Sequence, residues 1–113
     1  MSTPKFIDDP AYRDLREFDF QHFEEHAAGR RKLDFSGADL RGVDLSRVDP
    51  NKLELRDAYL READLRGLDL RHLDLEGCSL HNAKISGTYF PDNISPQEIA
   101  NSVQFGTRIR SGI

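Results

Sequence analysis

A large apolar residue recurs at every fifth position through the middle of the chain. From residue 33 to 91, each five-residue unit places an apolar or small residue, a polar residue and a second apolar residue in order. An α-helix would rotate this five-residue period through all of its faces, and a long flat strand would alternate it between two sides. Eleven of the twelve positions in the second apolar column are large and apolar, with Pro50 as the exception: Phe35, Leu40, Leu45, Leu55, Leu60, Leu65, Leu70, Leu75, Leu80, Ile85 and Phe90.

Each unit has the pattern of a very short strand followed by a corner. The apolar–polar–apolar triplet points inward, outward and inward again, as successive strand residues do. Two polar residues then turn the chain, and the last slot of the unit is often glycine, which tolerates tight corners. Glycine fills that slot at positions 37, 42, 67, 77 and 87. The pattern therefore predicts an all-β solenoid, with the number of sides left open.

The units ADLRG at 38–42 and 63–67, LDLRH at 68–72 and LDLEG at 73–77 resemble the A(D/N)LXX pattern of the pentapeptide repeat proteins. The resemblance implies a right-handed quadrilateral β-helix with four units in each coil. Residues 33–91 would then make three regular coils. The whole chain, 1–113, is interpreted as a single pentapeptide-repeat domain, with an N-terminal cap or degenerate coil at 1–32, the repeats at 33–91, and a C-terminal helix and tail at 92–113.

The flanking segments carry signals for the two ends of the solenoid. Leu15 and Phe20 keep the five-residue register, so residues 13–32 are expected to form a degenerate first coil. A short helix is expected to bulge from its second half and to end near Gly29.

At the other end, Ser95, Pro96 and Glu98 form a helix-start signature, which predicts a helix over 96–105. Its apolar face would hold Ile99, Val103 and Phe105, and would either cap the solenoid or join two copies of the chain. The tail 107–113 is expected to be an edge strand or loose, and both alternatives stay open.

Charge and cysteine content narrow the classes of partner. The net charge is −4, and residues 33–90 carry 11 acidic against 8 basic side chains, which does not favour nucleic acid as a partner. The single Cys78 fits a reducing compartment, and no apolar run is long enough to cross a membrane. We therefore expect a cytoplasmic protein that binds neither nucleic acid nor membranes.

The chemical motifs favour a protein without catalysis. The segment HFEEH at 22–26 matches a zinc-protease pattern, but no third ligand is evident and a solvated helix face is expected instead. The repeated Asp residues lie on different sides of the solenoid, so no acid–base pair is expected. Cys78 occupies an inward small-residue slot and is expected in the core. No catalytic residue, metal or cofactor is predicted.

The outer surface offers the candidate site. The side chains predicted to form an interaction surface are Arg56, Arg61, Arg66, Arg71 and Tyr59. The alternative is that these arginines form surface ion pairs with neighbouring carboxylates, which contribute little. Tyr89 is expected to pack under the C-terminal helix.

The sequence thus predicts a non-catalytic structural or protein–protein interaction module. Its partner would be another protein or a second copy, and a monomer and a C2 homodimer through the C-terminal helix are both open. The family resemblance supplies an alternative, a DNA mimic that binds or protects DNA gyrase or topoisomerase, as quinolone-resistance members do. A DNA mimic needs a surface that is negative throughout, and the low net charge and the surface arginines do not favour such a surface.

Overall fold

The computed structural model describes residues 3–112. These residues build three α-helices, two short strands and a series of single β-bridges around one hydrophobic core. No helix in this part of the chain has the length and apolar character needed to cross a bilayer. The elements are α1 (Pro10–Arg16), α2 (Phe20–Ala27), β1 (Leu33–Asp34), a 3-10 helix (Pro50–Lys52), β2 (Leu53–Glu54) and α3 (Pro96–Phe105).

The repeat region pairs with itself in parallel at a separation of twenty residues. In the β1–β2 pair, Leu33 lies opposite Leu53. Isolated parallel bridges join Asp39 to Tyr59 and Tyr59 to Ser79 in the same register. Twenty residues are four five-residue units, so each unit lies against the unit four positions earlier in the chain. The chain is a β-helix solenoid, as the period of five predicts.

The inward positions form a continuous apolar interior. Leu40 N–H donates to Tyr59 O at 2.9 Å and Leu60 N–H donates to Ser79 O at 2.8 Å, so the main chain is satisfied next to the buried leucines. Full burial of each such side chain contributes about 1.5–3 kcal/mol. Pro50, Ile85 and Phe90 are only half-buried. The other positions of the second apolar column are buried: Phe35, Leu40, Leu45, Leu55, Leu60, Leu65, Leu70, Leu75 and Leu80.

The aspartate at the centre of most units shapes the corner that follows it. Asp64 Oδ1 accepts a hydrogen bond from Arg66 N–H, two residues on, at 3.1 Å. Such a side-chain bond to the backbone is a turn device specific to short polar residues. The aspartates are therefore turn formers as well as outward polar residues. The same bond forms at Asp34, Asp39, Asp44, Asp49, Asp69 and Asp74.

The last slot of the unit adopts the left-handed backbone conformation that glycine favours. Gly77 has φ of 80° there, and Asp57, one coil earlier, has φ of 63°. A Cβ placed on Gly77 would collide with the carboxylate of Asp57. A larger residue at 77 would therefore strain the left-handed backbone and force the Asp57 side chain to move.

The N-terminal segment differs from the sequence expectation. Pro10 occupies the first helical position of α1, and the Asp9 side chain accepts from Ala11 N–H at 2.9 Å, so the chain is helical from residue 10 to 16. A degenerate coil over residues 13–32 is therefore wrong, because this cap starts a helix where the coil would begin. The helix expected within that stretch is present as α2, and Gly29 follows it with φ of 75°.

Helix α1 covers the N-terminal end of the solenoid. The ring of Tyr12 lies 5.8 Å from the ring of Phe35, and the Tyr12 hydroxyl donates to Asp39 O at 2.6 Å. Lys5 adds a parallel bridge to Ala38, with Asp39 N–H donating to Lys5 O at 2.8 Å. The chain before α1 thus supplies the main-chain partner that the expected coil would have supplied.

The helix predicted over residues 96–105 is confirmed by α3. Ser95 Oγ accepts from Glu98 N–H at 3.1 Å, and Gly106 ends the helix with φ of 75°. The side chain of Glu98 reaches the tail, where its Oε1 accepts a hydrogen bond from Arg110 N–H at 3.0 Å.

Helix α3 and the tail lie against residues 77–82. Leu80 N–H donates to Ser102 Oγ at 2.8 Å, and Ile109 N–H donates to Cys78 O at 2.8 Å. Arg108 forms an antiparallel bridge with Ser79. The tail is therefore held on the last coil by one antiparallel bridge and is not loose at Arg108, although it does not form a full edge strand; Ile113 lies outside the described residues.

Candidate functional site

Two of the four predicted surface arginines are held by an aspartate of their own unit. Arg66 Nε and Nη2 donate to the two carboxylate oxygens of Asp64 at 2.9 and 2.7 Å. Arg71 donates to Asp69 in the same way, with both distances 2.9 Å. The hydrogen bonds from these guanidinium groups lower the pKa of Asp64 and of Asp69 to about 2. Each Asp-x-Arg unit therefore neutralises its own charge.

Arg56 is paired across coils instead. Its unit has Glu54 at the central position, and Arg56 Nη1 donates to Asp74 Oδ2 at 2.7 Å. Both side chains are about half exposed, so the pair contributes less than about 1 kcal/mol. The ion-pair alternative thus describes Arg56, Arg66 and Arg71, and their role in binding a partner remains a prediction.

Arg61 is different because Tyr59 replaces the central aspartate of its unit. Its carboxylate contact within residues 3–112 is with Glu62, where Nε and Oε1 are 3.6 Å apart. That distance is too long for a hydrogen bond. Both side chains are more than half exposed. The guanidinium of Arg61 is therefore held less firmly than those of Arg66 and Arg71.

The two tyrosines have different surroundings from those expected. The Arg108 guanidinium lies 4.6 Å from the centre of the Tyr59 ring and donates a hydrogen bond to the Tyr59 hydroxyl, so the C-terminal tail partly covers this residue. Tyr89 was expected under α3, but it is 58% exposed and the Arg71 guanidinium lies over its ring at 5.0 Å. That expectation is wrong, because α3 lies against residues 77–82 on another part of the last coil.

Two open concavities meet at Arg61. The first has a volume of about 440 Å³, and three of its lining residues, Arg16, Arg41 and Arg61, carry guanidinium groups. The second, of about 420 Å³, shares Arg41 and Arg61 and extends to His81 and Phe105. The surface thus combines cationic groups with an exposed aromatic ring.

A buried carboxylate lies beneath this surface. The Asp39 side chain is fully buried and receives Arg41 Nε and Nη2 at 2.9 and 2.7 Å, while Arg16 Nη1 lies 3.4 Å from its Oδ1. The hydrogen bonds from Arg41 lower the pKa of Asp39 despite its burial. No sequence pattern predicts this cluster, because Arg16 comes from α1 and reaches the repeat only in the folded chain. The Asp-x-Arg spacing alone signals the pair of Asp39 and Arg41.

The predicted apolar face of α3 is present in part. Ile99 and Val103 are half-buried against the solenoid core. Phe105 is 65% exposed and ends the helix at the rim of the second concavity, so it does not pack on the solenoid, and its role in joining two copies of the chain stays a prediction. Ser102, which the apolar pattern does not identify, is the fully buried residue of α3 and binds Leu80 N–H.

The HFEEH segment lies on α2. The His22 and His26 rings stack with their centres 6.4 Å apart, and each Nδ1 lies 2.6 Å from a carboxylate oxygen, of Asp19 and Asp14 respectively. The hydrogen bond with Asp19 raises the pKa of His22. Within residues 3–112, no group of three or more His, Cys, Asp or Glu side chains is arranged to hold a metal ion.

Cys78 lies in the interior, as its inward slot predicts. It is fully buried, and its Sγ donates to Leu55 O at 2.9 Å. Burial raises the pKa of the thiol to about 12, so the thiolate is not formed at neutral pH. Cys78 is a core residue.

The parallel register of twenty residues and the apolar interior define the protein as a β-helix solenoid. A family model described as pentapeptide repeats matches residues 31–49 and 54–90 in eight copies. The chain belongs to the pentapeptide repeat family. The interruption between the two matched segments contains Pro50 and the 3-10 helix, where the repeat pattern fails. Comparisons with curated proteins and with solved structures found no match.

Proposed function

We propose that the chain is a non-catalytic protein–protein interaction module. Its scaffold would be a right-handed, four-sided β-helix of three coils, with α3 as the cap of the C-terminal end. The pairing separation of four units supports the four-sided coil. The contacts of α3 with Leu80 and Asn82 support its role as a cap.

The observation that carries this proposal is the filled interior. The inward leucines stack on one another and are fully buried, so side chains occupy the space that an enclosed ligand site would need. The concavities around Arg61 are open to solvent. A partner would therefore bind the outer faces, and a protein surface is the class of ligand that suits broad, charged, rigid faces.

Affinity capture with the full, folded chain tests this function. A Leu60→Asp variant is the matched control, because a charge at this fully buried position prevents folding. We expect the folded chain, and not the variant, to enrich a protein that re-forms the complex when both components are purified. The proposal is wrong if nothing is enriched over the control.

We also propose that the protein is a monomer. Ile99 and Val103 pack against the core of the same chain, and Ser102 holds Leu80 N–H, so the inner face of α3 is already used. Sedimentation of the full chain should give a single species of 12.9 kDa. A dimer that dissociates on Phe105→Asp substitution would show instead that the end of α3 joins two copies.

The outward carboxylates give no support to the alternative of a DNA mimic acting on gyrase or topoisomerase. A mimic of duplex DNA needs a sustained negative surface. Here Asp39, Asp64 and Asp69 each bind the arginine of their own unit, so these three carboxylates are neutralised locally and interrupt any continuous negative surface.

A further inference from the structure

We propose that an acidic segment of a partner protein, with a hydrophobic side chain beside its carboxylates, binds over the arginine cluster formed by Arg16, Arg41 and Arg61. Phe105 and His81 would form the upper end of this site. This inference rests on the proposed function and narrows the predicted surface to Arg61, leaving out Arg56, Arg66 and Arg71.

The charge around the arginine cluster is unbalanced. Its three guanidinium groups share the buried carboxylate of Asp39 and the exposed carboxylate of Glu62. Asp39 already accepts bonds from Arg41 and lies out of reach of a ligand, with its side chain fully buried. One positive charge therefore remains uncompensated, and it faces a concavity of about 440 Å³. This favours an anionic ligand.

The free binding group in the cluster is the guanidinium of Arg61. Both carboxylate-facing donors of Arg41 are engaged by Asp39, whereas Arg61 lies 3.6 Å from the exposed carboxylate of Glu62. An exposed pair of this kind is worth less than about 1 kcal/mol, so an incoming carboxylate can replace Glu62 at small cost. The planar fork of Arg61 suits a carboxylate with two parallel hydrogen bonds.

The second concavity explains why the partner should carry a hydrophobic side chain. It shares Arg61 with the first and is bounded by Phe105, whose ring is 65% exposed. Arg41 and His81 are two coils apart, a distance of about 10 Å. An extended peptide spans this distance in about three residues. A carboxylate on Arg61 and an apolar group on Phe105 therefore fit one short extended segment. Arginine next to an exposed aromatic residue is also a common composition of protein-binding hot spots.

The same observations favour protein over nucleic acid. A nucleic acid would present phosphates at every nucleotide and needs several free cations along its path. Arg16 and Arg41 already bind Asp39, and the chain as a whole carries a net charge of −4. A single free guanidinium beside an aromatic ring matches an acidic peptide.

The test is a titration of the full chain with the capped peptide Glu-Glu-Phe-Glu-Glu, followed by the backbone amide signals in NMR spectra. We expect shifts at residues 41–42, 59–62, 81 and 105–106, and none with Gln-Gln-Phe-Gln-Gln. Arg61→Gln should lower the affinity for the peptide about fivefold, which corresponds to the loss of one exposed charged contact. The matched control Arg66→Gln, equally exposed but bound to Asp64, should change the affinity by less than about twofold.

Glu62→Gln supplies a variant that should gain affinity. Because this change removes the competing carboxylate, the affinity for the peptide should rise about twofold. Loss of structure would not produce such an increase. The inference is overturned if Arg66→Gln weakens binding as much as Arg61→Gln, if the glutamine peptide binds equally well, or if a short oligothymidylate binds these residues more tightly than the acidic peptide.

The result is separable from that of the affinity capture. A captured partner that binds Arg61→Gln and Glu62→Gln as it binds the natural chain would overturn this site and leave the interaction module standing. Absence of any captured partner would count against the module itself, whatever the peptide does.

Discussion

The two ends of the solenoid are covered by different means. At the N-terminal end the cover is a packed side chain: Tyr12 is 1% exposed and lies against Phe35. At the C-terminal end the cover is largely main chain. Gly77 N–H donates to Ile109 O and Asn82 N–H donates to Val103 O, each within 2.9 Å. A packed aromatic ring is the main feature of the first cover and main-chain hydrogen bonds are the main feature of the second, although Lys5 also pairs with Ala38 at the first end and Ile109 is fully buried at the second.

The difference follows from what an open solenoid end exposes. Such an end presents both apolar side chains and unpaired peptide groups, and each needs its own partner. At the C-terminal end α3 and the tail pair residues 77–82, but Ile85 and Phe90 in the same coil stay half-buried. At the C-terminal end, α3 and the tail therefore cover a smaller part of the last coil than the helices cover at the N-terminal end.

The largest expected effect is at the N-terminal end. Tyr12→Ala should lower the free energy of unfolding by about 3–5 kcal/mol, because it opens a cavity over Phe35 and removes a buried hydrogen bond. Tyr12→Phe keeps the packing and should cost about 1 kcal/mol. Urea unfolding of both variants measures this difference. Equal losses would show that the hydroxyl, and not the packed ring, closes this end.

At the C-terminal end the corresponding change is Ser102→Ala. It leaves the buried Leu80 N–H without its acceptor and should cost about 1–3 kcal/mol. Amide hydrogen exchange should accelerate at Leu80 and remain unchanged at Leu40, which lies at the other end. An equal acceleration at both amides would mean that the two ends unfold as one unit.

A smaller effect is expected from acid. Glu76 accepts hydrogen bonds from the N–H and hydroxyl of Ser111, and these bonds lower its pKa from 4.5. A lowered folded-state pKa means that the ionised form stabilises the fold, and that this contribution is lost as pH falls below about 4.5 through the folded-state pKa. The Glu76→Gln variant should therefore lose less stability than the natural chain between pH 5 and pH 3, as measured by urea unfolding. The opposite order would show that the Ser111 contacts do not stabilise the tail.

The smallest effect should follow from Phe105→Ala. The Phe105 ring is 65% exposed, so its removal should change the free energy of unfolding by no more than about 0.5 kcal/mol. Thermal unfolding compares it with Ile109→Ala, a fully buried position of the same end, which should cost at least about 2 kcal/mol. A large loss in Phe105→Ala would place this ring in the cover of the C-terminal end.

The repeats and α3 were predictable because their signals are local. The period of five fixes which residues point inward, and Ser95, Pro96 and Gly106 mark the ends of α3. The N-terminal end was not predictable from the register. Leu15 and Phe20 matched it by coincidence, whereas Asp9 and Pro10 carried the correct signal for α1.

The candidate site was predictable in part for the same reason. Arg61 stands apart in the sequence because Tyr59 interrupts the Asp-x-Arg pattern that neutralises Arg66 and Arg71. Its meeting with Arg16 depends on how α1 lies against the solenoid. That contact is tertiary, and no sequence spacing records it.

Asp39 pairs with Tyr59, and Tyr59 pairs with Ser79, each at a separation of twenty residues. One layer of the solenoid therefore always takes twenty residues. A duplication of twenty residues would lengthen the rod by one layer and keep every column in line. A duplication of five would preserve the inward pattern but rotate all later columns by one side. If it fell between Arg41 and Arg61, those two side chains would face different directions. Insertions that keep the arginine cluster together must therefore add whole layers of twenty residues to the solenoid.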